Sequence, residues 1–558
     1  MSRRLYLVRR FGRFILLFHT VRYLRPVQIY GRLWRRLYHP NPCTRPAPPV
    51  RPVSLPFLQP PALPPTLLGP RRFTFLNREG AVEQAGDWNA AERDKLWLYN
   101  LHYFDDLNAA QANQRTVWHR ALIDRWIADN PPGQGNGWEP YPTSLRIVNW
   151  LKWALCGNAL DAQWVQSLAV QARWLRKILE WHLLGNHLFA NAKALVFAGA
   201  FFSGPEADEW LARGFAILER EVPEQILKDG AHFERSPMYH EIILGDLLDL
   251  LNLAQVYHGL FSERLLVQWR AVVQRMRRWM VSMIHPDGGV SFFNDAAFGI
   301  APEYSALEAY AERLALPGND PVTEGVTQLS ESGYIRLARG GAVAILDVAP
   351  VGPDYLPGHA HADTLSFELS LSGRRVLVNS GVSQYGLGPE RLRQRSTAAH
   401  NTVTIDGQDS SEVWGGFRVA RRAYPFGLTC EESEGSLSVS CAHDGYRRLP
   451  GRPVHRRKWL LTDSGLTVID SISGQYGEAV ARYFLHPQVE PVPTESLQQG
   501  ELRLQGSSAV RWKAKGGEAR IVPSTFHPEF GLSFPGHCIE VTFTDASCEM
   551  AFLWEPQV

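Results

Sequence analysis

Residues Trp164–Phe202 read WVQSLAVQARWLRKILEWHLLGNHLFANAKALVFAGAFF, and the punctuation of this stretch decides the N-terminal half of the fold. Apolar residues recur every three or four positions on both sides of Gly185-Asn186-His187, the period of a buried helix face. A glycine, an amide and an imidazole interrupt the two runs, so the stretch predicts a helical hairpin. The same texture continues outward over Leu145–Cys156, Glu209–Val222, Ile242–Tyr257 and Leu265–Ile284. Residues 90–318 are therefore predicted as successive helical hairpins, which stack into a solenoid or close into a ring.

Past residue 330 the period changes to two. Tyr334–Leu337, Ala342–Val348, Leu365–Leu371, Arg375–Asn379 and eight later runs, ending with Met550–Trp554, read as short strands separated by Gly, Asp, Asn and Ser. Strands without intervening helices predict an antiparallel sandwich or barrel over residues 330–558. The fold class is thus an all-α domain followed by an all-β domain. Residues 44–89 read as a connector, because ten prolines fall within residues 44–70 and proline fixes φ without offering a donor.

A net charge of +2, with 45% hydrophobic and 20% charged residues, describes an ordinary globular chain and excludes a globally basic nucleic-acid binder. The balance hides an asymmetry. Residues 1–40 carry ten arginines and no acidic residue, which leaves −8 on the remainder. Within the predicted N-terminal segment 1–43, Leu5, Leu7, Val8, Phe11, Phe14, Ile15 and Phe18 alternate with arginines as a basic amphipathic helix would. Such a helix suits either an anionic membrane surface or docking of its apolar face on the rest of the protein. The apolar run Phe14–Phe18 is too short for a secretory signal, and no run is long enough to span a bilayer. A cytoplasmic or inner-membrane-associated location is the resulting expectation, with a periplasmic one left open. The six cysteines show no CxxC pair; hairpin spacing would allow a Cys430–Cys441 or a Cys538–Cys548 bridge.

No phosphate-binding glycine loop and no nucleophile elbow is present. Polar groups gather instead at breaks between apolar segments. Asn186 and His187 stand where a helix begins, which suits anion binding, although Asn186 also suits a plain cap. Asp229–His240 brings His232, Glu234, Arg235, Tyr239 and His240 to the start of another helix; a Tyr near basic groups can exchange protons. In Gly358–Asp363, alternation places His359, His361 and Asp363 on one face at a strand entrance, a pattern for acid–base work or a metal. His400 stands at another strand entrance. Trp138 and Tyr141, in Asn136–Pro142, suit sugar contacts or a packed loop.

Together with Leu98–Phe104, the segments Gly185–His187, Phe233–His240, Gly358–Asp363 and Ala399–Thr402 resemble, in content and order, the heparinase II/III family of polysaccharide lyases. The resemblance runs from about residue 90 to about residue 480. It implies an incomplete α/α toroid followed by an antiparallel β-sandwich, with the active site in the cleft between them. The implied reaction is β-elimination on a uronic-acid-containing polysaccharide, with no cofactor required and an anionic polysaccharide as partner rather than a nucleic acid. Exopolysaccharide or lipopolysaccharide metabolism is a compatible setting. By resemblance, Asn186 and His187 would bind and polarise the carboxyl group. Tyr239 would be the acid and, for some stereochemistries, also the base; His359 would be a base or a partner of Tyr239. His232, Glu234, Arg235, His240 and Arg395 are implied as subsite or supporting residues. Some members hold a structural zinc on positions matching His361, Asn379 and His400, and here an amide stands where they have a carboxylate. Two other readings remain open. A glycoside hydrolase would need two carboxylates from Glu139, Asp229, Glu234 and Asp295; the other is a non-catalytic polysaccharide-binding or biosynthetic accessory protein.

Overall fold

The computed structural model describes residues 3–53, 55–492, 496–504 and 509–556, with side chains from residue 12 onward. The side-chain pattern expected for residues 5–11 lies outside the described residues.

Helices α1 (Arg3–Val21) and α2 (Pro26–Leu37) lead into a proline-rich strap. The strap is more than the connector expected over residues 44–89. Beyond Pro64-Pro65, Leu67–Gly69, Arg72–Phe75 and Arg78–Ala81 form a three-stranded antiparallel sheet. Leu67, Phe73 and Phe75 turn inward onto the helical core, an alternation that the proline count masks. Farther upstream, the Asn252 side chain bonds both the N–H and the carbonyl of Leu58.

Among the described residues, nine α-helices follow: α3 (Lys95–Tyr103), α4 (Thr116–Asp129), α5 (Pro140–Leu155), α6 (Ala162–Lys177), α7 (Gly185–Phe201), α8 (Pro205–Gln225), α9 (Pro237–Val256), α10 (Glu263–Met283) and α11 (Tyr304–Arg313). Helix α7 is the hub, packing on α5, α6, α8 and α9. Every α7 residue except His187 is buried. Its Gly199 admits the α8 backbone: a Cβ there would lie 2.7 Å from the Ala207 carbonyl oxygen. Helix α6 stops at Lys177, short of the predicted Leu184. The Asn191 side chain accepts the Glu180 N–H at 2.8 Å and so holds the chain in a turn.

Strands Gly325–Leu329, Tyr334–Arg339, Ala342–Asp347, Phe367–Leu371 and Arg374–Leu377 form a five-stranded antiparallel meander in chain order. An eight-stranded sheet is centred on Val454–Thr462, Gly465–Ser473 and Ser547–Leu553. A four-stranded sheet contains Val403–Ile405, Ala479–Phe484, Gly517–Phe526 and Phe534–Phe543. The three sheets bury one common core, including Leu346, Phe367, Val403, Trp459, Tyr483 and Phe552. This is the sandwich the period-two pattern predicts. Strand Pro425–Ser433 went unpredicted because it is exposed at nearly every position and lacks apolar alternation. All six cysteines are free. Cys430 stands opposite Val439 and not Cys441, and Cys538 and Cys548 lie in different sheets, so neither expected bridge forms.

The helical and β halves meet through Met238 and Tyr239 of α9, which pack with Phe292, Val378, Phe526 and Phe530. Deeper in the sandwich, fully buried Arg457 pairs with Asp470 and donates to the carbonyls of Leu365 (2.9 Å) and Asn401 (2.5 Å). One guanidinium thereby fixes the strand entrances that follow His359 and His400. Replacing Arg457 by Ala strands a buried carboxylate, and chemical denaturation is expected to report a loss of about 3–5 kcal/mol.

Candidate active site

The N-terminus of α7 is built by two left-handed residues, Leu184 (φ 66°) and Gly185 (φ 55°). Only glycine fits the second: a Cβ there would lie 2.3 Å from Leu356 Cδ2 and 3.0 Å from Glu234 Oε1. Asn186 Nδ2 donates to Glu234 Oε1 at 3.3 Å. His187 lies 4.5 Å, ring to ring, from Tyr141, and its Nδ1 is 3.1 Å from Glu180 Oε1. Burial disfavours the imidazolium, but the Glu180 carboxylate outweighs it and lifts the His187 pKa above its ordinary 6.5. An imidazole with a raised pKa, an amide and a helix N-terminus thus share one place, which is the chemistry of a carboxylate site.

Tyr239 enters through the α9 cap. Ser236 Oγ accepts the Tyr239 N–H at 3.2 Å, and Arg235 takes φ 59° immediately before it. The Tyr239 hydroxyl is 3.0 Å from that of Tyr385, and its ring lies 3.9 Å from the His359 ring. Burial, reinforced by Tyr385, pushes the phenol well above its ordinary pKa, so it stays protonated.

His359 sits in the loop between Ala342–Asp347 and Phe367–Leu371. Its Nδ1 is 2.9 Å from Asp295 Oδ2, and its Nε2 is 3.6 Å from Glu234 Oε2. Asp295 is fully buried. It also meets His361 Nε2 at 2.9 Å and takes a two-pronged contact from Arg391 of α12 (Pro389–Arg395). Burial opposes ionisation, yet Arg391 and the two imidazoles hold the Asp295 pKa well below the carboxylate range. An ionised acceptor places the proton on His359 Nδ1 and leaves Nε2 directed toward Glu234, with Tyr239 against the ring face. Burial pushes the Glu234 pKa upward, with His359 opposing it.

Asn186, Tyr239 and His359, far apart in sequence, are thus linked through Glu234 and ring contact, with His187 and Tyr141 alongside. The other proposed contact residues do not reach this place. Trp138 is buried and donates to the Asn130 carbonyl; Arg395 is fully buried and donates twice to the Ala360 carbonyl. His232 and His240 are fully buried, bonded to Gln225 and to the Met276 carbonyl, and Arg235 turns to the Pro350 carbonyl. These are supports for the backbone. Glu180, Asp295, Tyr385 and Arg391 are site residues that the sequence reading missed or, for Asp295, assigned to another chemistry. A cavity of about 410 Å³ adjoins Tyr239, lined by Asn100, Tyr103, Tyr141, Asn149 and Tyr385. Its two lysines are neutralised: Lys193 meets Asp246 (2.6 Å) and Asp249 (2.7 Å), and Lys152 meets Asp249 (3.1 Å).

The heparinase II/III N-terminus family matches residues 102–313, and the heparinase II/III-like C-terminal family matches residues 321–555. The chain belongs to the heparinase II/III family. It is 24% identical over 326 residues to a heparin-sulfate lyase of Bacteroides stercoris, covering 55% of this chain and 46% of that protein. It is 26% identical over 398 residues to a heparin-sulfate lyase of Bacteroides thetaiotaomicron, covering 62% and 55%. The chain thus spans about half the length of the curated relatives it matches. Among solved structures, that of heparinase III superposes with a TM-score of 0.70 at 20% identity, covering 86% of this chain and 81% of that one. A mutant of the heparan sulfate lyase of Pedobacter heparinus gives 0.60 at 19% identity, covering 88% and 82%. The fold is therefore the helical toroid followed by an antiparallel sandwich.

Behind His359 lies a cluster with a different character. His361 Nε2 faces ionised Asp295, and His400 Nδ1 is 2.7 Å from the Ser396 carbonyl, so both nitrogens carry their protons there. The two remaining nitrogens, His361 Nδ1 and His400 Nε2, therefore present lone pairs to each other at 3.0 Å. Burial pushes both imidazoles down, His361 to about 4. Asp363 offers a carboxylate oxygen to the same cluster, with all ligand atoms within 4.8 Å of one another. Asn379 does not join it. Its amide nitrogen donates to the Phe292 carbonyl (3.0 Å) and its oxygen accepts the Asn401 N–H (3.0 Å). The residue that stands with His361 and His400 is thus Asp363 and not Asn379.

Proposed function

We propose that the protein is a polysaccharide lyase that cleaves a uronic-acid-containing polysaccharide by β-elimination. The observation that carries this reading is the close, tilted ring contact of the His359 imidazole, oriented by Asp295, with the phenol of Tyr239 beside the N-terminus of α7. The C5 proton of a uronate is too weakly acidic to remove until the adjoining carboxylate is neutralised. Asn186, cationic His187 and the α7 N-terminus supply that neutralisation. His359 Nε2 accepts the C5 proton, the C4–O4 bond breaks as the C4=C5 double bond forms, and the Tyr239 hydroxyl protonates the departing O4. Return of the proton from His359 to Tyr239 resets the site.

A hydrolase is disfavoured because it needs two carboxylates, and three of the four candidates are committed, which leaves Glu234 alone. Glu139 holds Lys95 and Tyr99, Asp229 caps Ser332, and Asp295 is enclosed by Arg391 and two imidazoles. The neutralised lysines of the adjoining cavity favour a chain with few sulfate groups over a densely sulfated one, although the relatives are named for heparin sulfate. We also infer that a structural zinc is held by His361, His400 and Asp363. It would supply the shared positive charge that two facing lone pairs require and would fix the backbone behind His359.

Three outcomes are expected. Tyr239→Phe lowers single-turnover elimination by roughly 10²–10⁴-fold, read as ultraviolet absorbance of the unsaturated uronate, while substrate affinity changes little. Retention of more than about a third of the wild-type rate would remove Tyr239 as the acid. Binding of a uronate polymer to Tyr239→Phe weakens as pH rises through the elevated His187 pKa, because the imidazolium charge is lost there. His187→Gln should flatten that profile, and a profile unchanged in the variant would contradict the assignment. Elemental analysis of the purified protein should find about one zinc per chain, lost in His400→Ala; a zinc-free protein of full thermal stability would exclude the metal.

A further inference from the structure

Helices α1 and α2 dock on the protein by the wrong face for an ordinary amphipathic helix. Thr20 takes the Trp414 indole N–H at 3.0 Å, and Tyr23 lies 3.8 Å beneath the Arg422 guanidinium. Arg25 pairs with Glu224 and covers the Tyr355 ring at 3.7 Å, and buried Gln28 donates to the Tyr355 carbonyl at 3.1 Å. Gly31 sits against His182, which also meets Arg35 at 3.0 Å. Polar contacts make much of the attachment, with Val27 packed on the helical core beside them, and the larger apolar residues are left outside.

Those apolar residues form a stripe on each helix. Phe14, Leu17, Phe18 and Val21 recur at helical spacing on α1 and are 40–65% exposed. Ile29, Tyr30, Leu33, Trp34 and Leu37 do the same on α2 and are 45–80% exposed. The same flank of α2 borders an open groove of about 850 Å³ with Trp181, Leu184 and Tyr355. Arg13, Arg22, Arg32 and Arg36 flank the stripes and have no acidic partner among the described residues. A monomer in water rarely leaves so many large apolar side chains together on its surface.

We propose that α1 and α2 form an in-plane docking surface for the anionic face of a phospholipid bilayer. Charge complementarity names the occupant: positions 1–40 carry ten arginines and no acidic residue, and of these Arg13, Arg22, Arg32 and Arg36 would meet anionic headgroups while the apolar stripes enter the acyl boundary. A soluble polyanion would use the arginines and leave the phenylalanines, leucines and Trp34 in water. The attachment also places the surface beside the cleft. His182 and Tyr355, which hold α2, precede Asn186 and His359 by four residues each. Substrate would then be cut next to a membrane, but the docking surface stands independently of the lyase reading.

The full chain is tested by co-sedimentation with vesicles of phosphatidylcholine and phosphatidylglycerol at about two to one, against phosphatidylcholine alone. Wild type should pellet with the anionic vesicles and remain largely free with the neutral ones. Phe18→Ser/Trp34→Ser/Leu37→Ser should weaken partitioning about tenfold or more without changing the unfolding temperature. Arg13→Gln/Arg32→Gln/Arg36→Gln should abolish the preference for phosphatidylglycerol. Wild type free of both vesicles would overturn the proposal, as would an apolar variant that pellets like wild type. If the apolar variant instead turns a dimer into a monomer, the stripes belong to a second copy. If it loses heparan sulfate binding with vesicle binding intact, they belong to substrate; either result also overturns the proposal.

Discussion

One buried carboxylate organises this site. Asp295 has no access to solvent, and leaving such a charge unpaired would be strongly destabilising. Arg391, His359 and His361 surround it, and each partner extends the constraint in a different direction. Through His359 it sets the tautomer of the imidazole that faces Tyr239. Through His361 it fixes which nitrogen points at His400. Through Arg391, whose guanidinium lies 4.8 Å over the Tyr385 ring, it steadies the second phenol beside Tyr239.

Neither half of the chain holds the chemistry alone. The helical half contributes the carboxylate site at the start of α7 and the phenol at the start of α9, both set by left-handed residues just ahead of a helix. The β half contributes the imidazole and its carboxylate partner's guanidinium clamp. They are brought into register by an apolar cluster that includes Tyr239 itself, together with Phe292, Val378 and Phe526. The proposed elimination needs charge neutralisation and proton transfer at adjacent atoms of one sugar ring, and this two-sided construction would provide both within one contact network.

Much of the fold was legible because buried helices and half-buried strands carry their period in the sequence. Helix α7 and strands such as Tyr334–Arg339 show it plainly, whereas the exposed strand Pro425–Ser433 and the small sheet behind the prolines do not. Asn186, His187, Tyr239 and His359 were visible because each stands at a break between apolar runs. Asp295 was not, since its meaning comes from His359, 64 residues away, and Arg391, 96 residues away. Arg395 shows the converse error. Composition cannot distinguish a guanidinium aimed at a ligand from one bound to the carbonyl of Ala360. Asn379 likewise holds a metal-like sequence position while its amide serves the backbone.

The account rests on Asp295 acting through His359, and a double-mutant cycle measures that dependence directly. Single-turnover elimination should be compared for wild type, Asp295→Asn, His359→Ala and the double variant, with thermal unfolding recorded for each. If Asp295 works by orienting His359, the double variant will be no slower than His359→Ala alone. Losses that multiply in the double variant, or an Asp295→Asn protein with wild-type turnover, would contradict the account.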